Sequence, residues 1–156
     1  DANAPEPGKR MLSSMVPTFM LSDDRVAVLG TPGGSRIITM VLLGVLGYDA
    51  GLSAADVAAL PRFHHQWMPD AIQAEAGTFD VATAQALRAM GHTVVRPEDE
   101  VAQGRRSSDA WGNFQTVAWD IANGRMEAGT DPRNPVGKAE VRAPGGRQGD
   151  RSGAVR

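Results

Sequence analysis

A pair of glycines behind a proline is the part of this sequence whose residue types best suit catalytic chemistry. Gly33 and Gly34 follow Pro32 and stand just before the apolar run of residues 37–46. If that run is a helix, the glycines present unpaired backbone N–H groups near its positive end, where developing negative charge is stabilised. The string therefore predicts an oxyanion hole. It lacks the lysine of a phosphate-binding P-loop and the spacing of a dinucleotide-binding fingerprint.

Two adjacent serines form a second candidate site. Ser13 and Ser14 interrupt an otherwise apolar string, and two neighbouring hydroxyls could each donate a hydrogen bond to one carboxylate. Charge-assisted bonds of this kind contribute about 1.5–3 kcal/mol apiece. The alternative interpretation is a polar turn before a strand. Neither serine lies in the Gly-x-Ser-x-Gly pattern of a nucleophile elbow, so we expect neither to be a nucleophile.

Residues 61–67, with the sequence Pro-Arg-Phe-His-His-Gln-Trp, are the third candidate. His64 and His65 are adjacent, so their side chains point to opposite faces of an extended segment and are poorly placed to share a metal ion. We therefore expect no metal site here. Packing and hydrogen bonding are the expected roles of Arg62 and both histidines. For Arg36 we expect a structural ion pair, with substrate contact as the alternative.

The composition of the 156-residue chain fits one domain with its own core, since 42% of its residues are hydrophobic. The formal charge of -2 argues against nucleic acid or an anionic membrane as a partner, because both select a basic excess. The chain has no cysteine, which excludes disulfides, thiolate chemistry and cysteine-bound metals. The longest apolar run is too short to span a bilayer.

The first elements of the chain should lead directly into the glycine pair. Residues 16–21 and 25–29 are apolar runs separated by Ser-Asp-Asp, which predicts a hairpin. The run that begins at Ile37 is apolar on almost all sides, which predicts a helix buried between layers. We therefore expect the glycine pair to lie between a strand and a buried helix.

Shorter patterns predict the remaining elements. We expect a helix opened by the Ser53/Asp56 capping box and ended by Pro61, a strand over 72–76, a helix from Asp80 to Gly91, a strand over 93–95 and a hairpin around Asn123-Gly124. Residues 96–110 are polar and are interpreted as a surface loop. Residues 142–156 are rich in Gly and Arg and should be disordered, which leaves residues 1–141 as the folded part.

The Leu-Ser-Ser-Met, Pro-Gly-Gly-Ser-Arg and Pro-Arg-Phe-His-His-Gln-Trp strings together resemble the small subunit of the gamma-glutamyltransferase family in their order and spacing. The resemblance covers residues 1–132. It implies an α+β fold, part of the four-layer αββα sandwich of N-terminal-nucleophile hydrolases, with antiparallel sheets between helix layers. It also implies that Ser13 and Ser14 bind the substrate's alpha-carboxylate, and that Gly33 and Gly34 line the glutamyl pocket and bind the oxyanion.

The resemblance further implies what a parent protein does. In this family an autocleaved precursor exposes a threonine, whose hydroxyl attacks the gamma-carbonyl of glutathione or a similar compound and whose amine serves as base. The acyl group then passes to water, an amino acid or a peptide, and no cofactor is needed. Since this chain starts at Asp1, we expect a C-terminal fragment, inactive alone, whose partners are the large subunit and the N-terminal part of the small subunit. Export to the periplasm or exterior is also implied.

Two alternatives stay open from the sequence. One is a related acylase on the same scaffold, such as a cephalosporin acylase, which would differ mainly in pocket residues outside this chain. The other is a non-catalytic remnant that acts as a binding module. The coding sequence upstream separates the second alternative from an enzyme, because only an enzyme needs the threonine and its processing site.

Overall fold

The computed structural model describes residues 4–13, 15–95, 111–134 and 137–142 of the chain. In chain order the elements are β1 (Thr18–Leu21), β2 (Arg25–Gly30), a 3₁₀ turn (Gly34–Arg36), α1 (Ile37–Asp49), α2 (Ala54–Ala59), β3 (Phe63–Trp67), β4 (Asp70–Ala74), α3 (Val81–Ala89), β5 (Val94–Val95), β6 (Gln115–Asp120) and β7 (Arg125–Thr130). The predicted loop over 96–110 lies outside the described residues, as does the predicted tail from residue 143 onward, so both stay predictions.

Four strands form an antiparallel sheet in the order β1-β2-β6-β7. Both predicted hairpins are confirmed: β1 and β2 flank the Ser-Asp-Asp turn, and β6 and β7 flank Asn123-Gly124, where Gly124 has a φ of 63°. The two hairpins join through β2 and β6, which pair Gly30 with Gln115. The end of β2, from which the glycine pair follows, therefore lies beside the start of β6.

A second sheet has the order β3-β4-β5 and is mixed. β3 and β4 form an antiparallel pair, whereas β4 and β5 are parallel, because α3 carries the chain back to the end at which β4 began. The predicted caps of α3 are confirmed: Asp80 Oδ1 accepts a hydrogen bond from the N–H of Thr83 at 2.6 Å, and Gly91 has a φ of 94°. The sequence predicted β4, α3 and β5, and it missed β3 and the parallel pair.

The core lies between one face of the four-stranded sheet and the helices α1 and α2. Two glycines let α1 pack closely. A Cβ on Gly44 would lie 2.6 Å from Cζ of Phe114, and one on Gly47 would lie 2.8 Å from Cδ1 of Leu60. α2 begins as its capping box predicts, since Ser53 Oγ accepts a hydrogen bond from the N–H of Asp56. These contacts fix α1, and with it the glycine pair, against the sheet.

One side of α1 is exposed, so the described elements do not bury this helix between two layers as the sequence predicted. Ile38, Leu42 and Leu46 are 68%, 54% and 53% exposed, because the described elements cover only the opposite side of the helix. The outer face of the four-stranded sheet is likewise apolar and exposed, for example at Phe19 and Trp119. None of the helices in the described part of the chain has the length and apolar character needed to cross a bilayer.

Candidate functional site

The glycine turn, residues 31–36, connects β2 to α1. Gly33 and Gly34 have φ values of 152° and 59°, a region that favours glycine, and the N–H of Arg36 donates to the carbonyl of Gly33 at 3.1 Å. Among the described residues, no hydrogen bond is donated by the N–H of Gly33 or Gly34. The first turn of α1 has neither a side-chain cap nor an acidic residue, which keeps its positive end uncompensated. Such a turn can stabilise an anion.

The two serines are only partly within the described chain. Ser13 is exposed, and its Oγ accepts a hydrogen bond from the N–H of Met15 at 3.2 Å. That bond uses a lone pair and leaves the hydroxyl proton free to be donated to a ligand. Ser14 lies outside the described residues. The pairing of the two hydroxyls on one carboxylate therefore stays a prediction.

A cavity of about 670 Å³ adjoins the two candidate segments, although none of Ser13, Gly33 and Gly34 is among its lining residues. Residues 15–17, which directly follow the serine pair, line one part of it, and residues 30–32, which directly precede the glycine pair, line another. Ile37 at the start of α1 and Asn113 and Gln115 before and within β6 complete this part of the lining. Two strings that stand about twenty residues apart in the sequence thus meet at one concave surface.

Residues 61–67 do not line this cavity, and the contacts of Arg62 show that it is a buried structural residue. The Arg62 side chain is 2% exposed, and its Nη1 lies 2.7 Å from Oδ2 of Asp131, which is fully buried. Its guanidinium also donates to the carbonyl of Ala58 at 2.9 Å and to the carbonyl of Trp111. Arg62 is therefore a structural residue behind the cavity, as its predicted packing role requires.

A second arginine extends this pair into an ion-pair cluster made of Arg62, Asp131, Arg133 and Glu75, in which Arg62 and Asp131 are buried and the other two side chains are partly exposed. Arg133 Nη1 lies 3.0 Å from Oδ1 of Asp131, and its Nε and Nη2 each lie 2.5 Å from a carboxylate oxygen of Glu75. Glu75 in turn accepts a hydrogen bond from the N–H of Arg62 at 2.8 Å. The cluster ties β3, β4 and the segment after β7 together.

Burial and hydrogen bonding act in opposite directions on the pKa values of Asp131 and Arg62. Burial alone would raise the pKa of Asp131, but hydrogen bonds from the N–H groups of Phe114 and Arg133 and the charge of Arg62 outweigh it and hold that pKa below its ordinary value. Burial lowers the pKa of Arg62, and the neighbouring charge of Arg133 lowers it further. Burial alone would lower the pKa of Arg133, but its hydrogen bonds to Glu75 and Asp131 outweigh burial and raise that pKa.

The two histidines point to opposite faces of β3, as predicted. His64 is buried: its Nδ1 lies 2.8 Å from the hydroxyl of Thr39, and its Nε2 lies 2.9 Å from Oε1 of Gln66. Because that amide oxygen only accepts, the network assigns the ring proton to Nε2 and makes Nδ1 the acceptor for Thr39. His65 is exposed beside Asp70. Within the described ranges, no group of three side chains could hold a metal ion.

Arg36 contacts β4 and the segment before β6, and the ion pair expected of it stays a prediction. Its Nε and Nη2 donate to the amide oxygen of Gln73 at 3.1 and 2.5 Å, and its guanidinium lies 5.5 Å from the ring of Trp111. The last residue of the glycine turn is thereby fixed to β4 and to the segment that precedes β6. Trp111, which the sequence analysis did not single out, is a neighbour of the turn.

A family model described as gamma-glutamyltranspeptidase matches residues 1–141 of this chain. The glutathione hydrolase proenzyme of Escherichia coli K12 is 41% identical over 136 residues, which cover 86% of this chain and 21% of that protein. The chain therefore spans about a fifth of the length of the curated relatives that it matches first.

Two solved structures share the fold. The T380A mutant of gamma-glutamyltranspeptidase from Helicobacter pylori is 34% identical with a TM-score of 0.69, and the match covers 86% of this chain and 68% of that chain. Cephalosporin acylase from Bacillus halodurans is 26% identical with a TM-score of 0.55, over 68% of this chain and 18% of that chain. The predicted α+β fold of N-terminal-nucleophile hydrolases is confirmed.

Proposed function

This chain belongs to the gamma-glutamyltranspeptidase family, and from that membership we propose that it supplies the substrate-binding part of an enzyme that transfers or hydrolyses gamma-glutamyl groups. The donors are glutathione and related gamma-glutamyl compounds, and the acceptors are water, amino acids or peptides. The relatives named as glutathione hydrolases support this donor class. The nucleophile is a threonine at the start of a processed subunit, contributed from outside the 156 residues.

The cavity is the observation that carries the proposal. It is lined both by residues 15–17, after the serine pair, and by residues 30–32, before the glycine pair. A gamma-glutamyl group has an alpha-carboxylate at one end and the reacting carbonyl at the other. A site for it needs hydroxyl donors and oxyanion donors at a fixed separation, and this concave surface adjoins both candidate segments.

Each candidate segment has one role in the proposed enzyme. The hydroxyls of Ser13 and Ser14 donate hydrogen bonds to the alpha-carboxylate and hold the substrate in one orientation. The backbone N–H groups of Gly33 and Gly34 donate to the oxygen that becomes negative when the threonine hydroxyl attacks the gamma-carbonyl. Both N–H groups lack partners among the described residues, which supports this role.

Substitution of the serines in the complete protein tests the proposal. Ser13→Ala and Ser14→Ala should each lower kcat/KM for a gamma-glutamyl anilide roughly tenfold to a hundredfold, since each charge-assisted bond contributes about 1.5–3 kcal/mol. An analogue without the alpha-carboxylate should distinguish little between the variants and the wild type. Equal losses on both substrates would show that the serines do not bind the carboxylate.

The 156-residue chain by itself should be inactive. Every threonine in it lies inside the chain, where an amide nitrogen cannot serve as the base that a free terminal amine provides. The purified chain is therefore expected to release no anilide above the buffer rate. Turnover that co-purifies with this chain would contradict the assignment of the nucleophile to a segment outside it.

The assembly and location of the enzyme belong to the same proposal. The partners of this chain are the large subunit and the N-terminal part of the small subunit, and the apolar side of α1 is surface that such partners could cover. Residues 1–141 are the proposed domain, and the family model matches the same range. The enzyme works in the periplasm or outside the cell, and it uses no cofactor.

A cephalosporin acylase reaction is the second candidate, because the chain is also similar to the acylase from Bacillus halodurans. The two reactions differ in what the acyl group carries. A gamma-glutamyl substrate has an alpha-amino acid head, whereas the acyl group of glutaryl-7-aminocephalosporanic acid ends in a carboxylate without an alpha-amine. Comparing kcat/KM of the complete protein for the two compounds separates the candidates, and a preference for the cephalosporin would reject gamma-glutamyl transfer.

A further inference from the structure

Residues 111–114 lie directly behind the glycine turn. The N–H of Asn113 donates to the hydroxyl of Thr31 at 3.1 Å. The backbone of Gly112 is so close to the turn that a Cβ there would lie 2.1 Å from the carbonyl oxygen of Pro32. A shift of this segment would therefore move the residues that directly precede Gly33.

The Arg62–Asp131 ion pair holds both ends of that segment. Arg62 donates to the carbonyl of Trp111, and Asp131 accepts a hydrogen bond from the N–H of Phe114 at 2.9 Å. The two side chains lie 2.7 Å apart and are 2% and 0% exposed. Because the pair is buried and each partner makes further hydrogen bonds, it has little freedom to move.

A second contact links Arg62 to the turn through Met40 of α1. Met40 is 1% exposed, and its Sδ lies 3.9 Å from Nη1 of Arg62. Its terminal methyl packs so closely on Gly33 that a Cβ there would lie 2.4 Å from it. The turn is thus supported by residues 111–114 and by the Met40 side chain, and both supports contact Arg62.

We propose that the Arg62–Asp131 ion pair positions the Gly33-Gly34 turn for oxyanion binding, through residues 111–114 and Met40. The inference rests on the proposed function, since it assumes that the two glycines stabilise the oxyanion. Neither charged side chain lines the cavity. Arg62 and Asp131 are therefore positioning residues, which act on the reaction only through the backbone that they hold.

The consequence is a selective effect on the transition state. Oxyanion donors act where charge develops, and they must be held within about 0.5 Å of their productive positions. An interaction made only in the transition state lowers kcat when it is lost and leaves substrate binding unchanged. The alpha-carboxylate of the substrate binds at the serine segment, which does not belong to the ion-pair cluster. A displaced turn should therefore lower kcat with little change in the dissociation constant of ground-state ligands.

The test compares Asp131→Asn with the wild type in the complete, processed protein. A glutamate analogue with a boronic acid in place of the gamma-carboxyl group forms a tetrahedral adduct with a hydroxyl nucleophile and so reports on the oxyanion site. L-2-aminobutyrate, which keeps the alpha-amino and alpha-carboxylate groups and has no gamma-carboxylate to bind at the turn, reports on ground-state binding. We expect the variant to bind the boronate about tenfold more weakly, to bind L-2-aminobutyrate as the wild type does, and to lose about tenfold in kcat. Equal weakening of both ligands, or of neither, would overturn the proposal.

Met40→Leu is the second variant, because it conserves volume and should fold even if Asp131→Asn does not. Its branched end alters the contact with Gly33, so we expect boronate binding to weaken about threefold at unchanged L-2-aminobutyrate affinity. Unchanged boronate affinity would count against the proposal. Glu140→Gln, in the exposed Glu140–Arg142 pair, is the matched control and should behave as the wild type. A wild-type protein that neither cleaves a gamma-glutamyl anilide nor binds the boronate would instead reject the proposed function.

Discussion

The glycine turn and the ion-pair cluster are neighbours that differ in how many of their hydrogen-bonding groups are paired. In the cluster, Asp131 accepts hydrogen bonds from two backbone N–H groups and from two guanidinium groups. In the turn, the N–H groups of Gly33 and Gly34 donate to no described residue. One region uses its donors and acceptors to hold the chain in place, and the other keeps its donors free for a ligand. The difference indicates that rigidity and binding capacity are divided between adjacent segments.

The comparison also explains why the two regions need each other. A turn with positive φ values and unused N–H groups has few interactions of its own that fix its geometry. Residues 111–114 and Met40 contact both the cluster and the turn, and so they hold the turn in place. If this division is correct, substitutions in the cluster should change stability most, and substitutions in the turn should change activity most.

The largest effect is expected from Arg62→Met, which leaves the carboxylate of Asp131 buried without its main partner. Removing one member of a buried ion pair costs about 3–5 kcal/mol of the free energy of unfolding. Urea denaturation of the complete protein measures this loss. Arg125→Met is the matched control, since Arg125 is 70% exposed in its pair with Glu127 and should cost less than about 1 kcal/mol. Similar losses in the two variants would remove the distinction between a rigid cluster and an ordinary surface.

The next largest effect is expected from Gly33→Ala, and it should appear in activity. The new Cβ would meet the terminal methyl of Met40 at 2.4 Å in a backbone conformation that alanine rarely adopts. We expect kcat/KM for a gamma-glutamyl anilide to fall about a hundredfold, as for a misplaced oxyanion donor. Gly34→Ala, which meets nothing within 4 Å, should lose less.

Gly124→Ala is the control for this comparison. Gly124 also has a positive φ, of 63°, and open space around its missing Cβ, and it lies in the β6–β7 hairpin, at the end of the sheet opposite the turn. Its variant should keep wild-type kcat/KM. A loss as large as that of Gly33→Ala would mean that backbone strain alone, at any position, explains the effect.

A smaller effect should appear in acid. Since the pKa of Asp131 in the folded protein lies below its ordinary value, the ionised form contributes stability that is complete above the unfolded pKa of about 3.9 and is lost as the pH falls through the folded pKa. The Tm of the wild type should therefore fall below about pH 4 more steeply than that of Asp131→Asn, which has no proton to take up there. Parallel Tm curves for the two proteins would contradict this linkage.

The smallest effect is expected from Thr39→Val. This change keeps the shape of the side chain and removes the hydroxyl that lies 2.8 Å from Nδ1 of the buried His64. One unpaired buried acceptor should cost about 1–3 kcal/mol of the free energy of unfolding. We expect the lower value, because His64 keeps its other hydrogen bond, from Nε2 to Gln66. Denaturant unfolding measures it. No loss at all would show that the Thr39–His64 bond does not help to hold α1 against β3.

Local chemistry made one part of this molecule predictable from its sequence. The Asn123-Gly124 hairpin, the Ser53 and Asp80 caps and the left-handed Gly91 each depend on residues within a few positions of one another. The glycine turn was predicted for the same reason, because glycines before an apolar helix already define where free N–H groups lie. What local patterns specify, the sequence predicts.

The ion-pair cluster could not be predicted, and the reason is distance along the chain. Arg62 precedes β3 of one sheet and Asp131 follows β7 of the other, so the two residues meet only when the two sheets pack in the folded chain. No pairing of Glu75 or Asp131 could be assigned from the sequence, and charged residues are by default expected at the surface. The exposed side of α1 was not predicted for a related reason: an apolar periodicity shows what should be covered, without showing whether these residues cover it.

The pairing of β2 with β6 can form only late in the synthesis of the chain. The paired residues are 85 to 95 positions apart, so at about 5–20 residues per second the ribosome needs roughly 4–19 seconds to add the partner of a β2 residue in β6. Until then the first hairpin has an unpaired edge, and α1 has no sheet on which to pack. Contacts this distant in sequence also close slowly. The nascent chain therefore passes through an interval in which its apolar segments are uncovered and prone to associate.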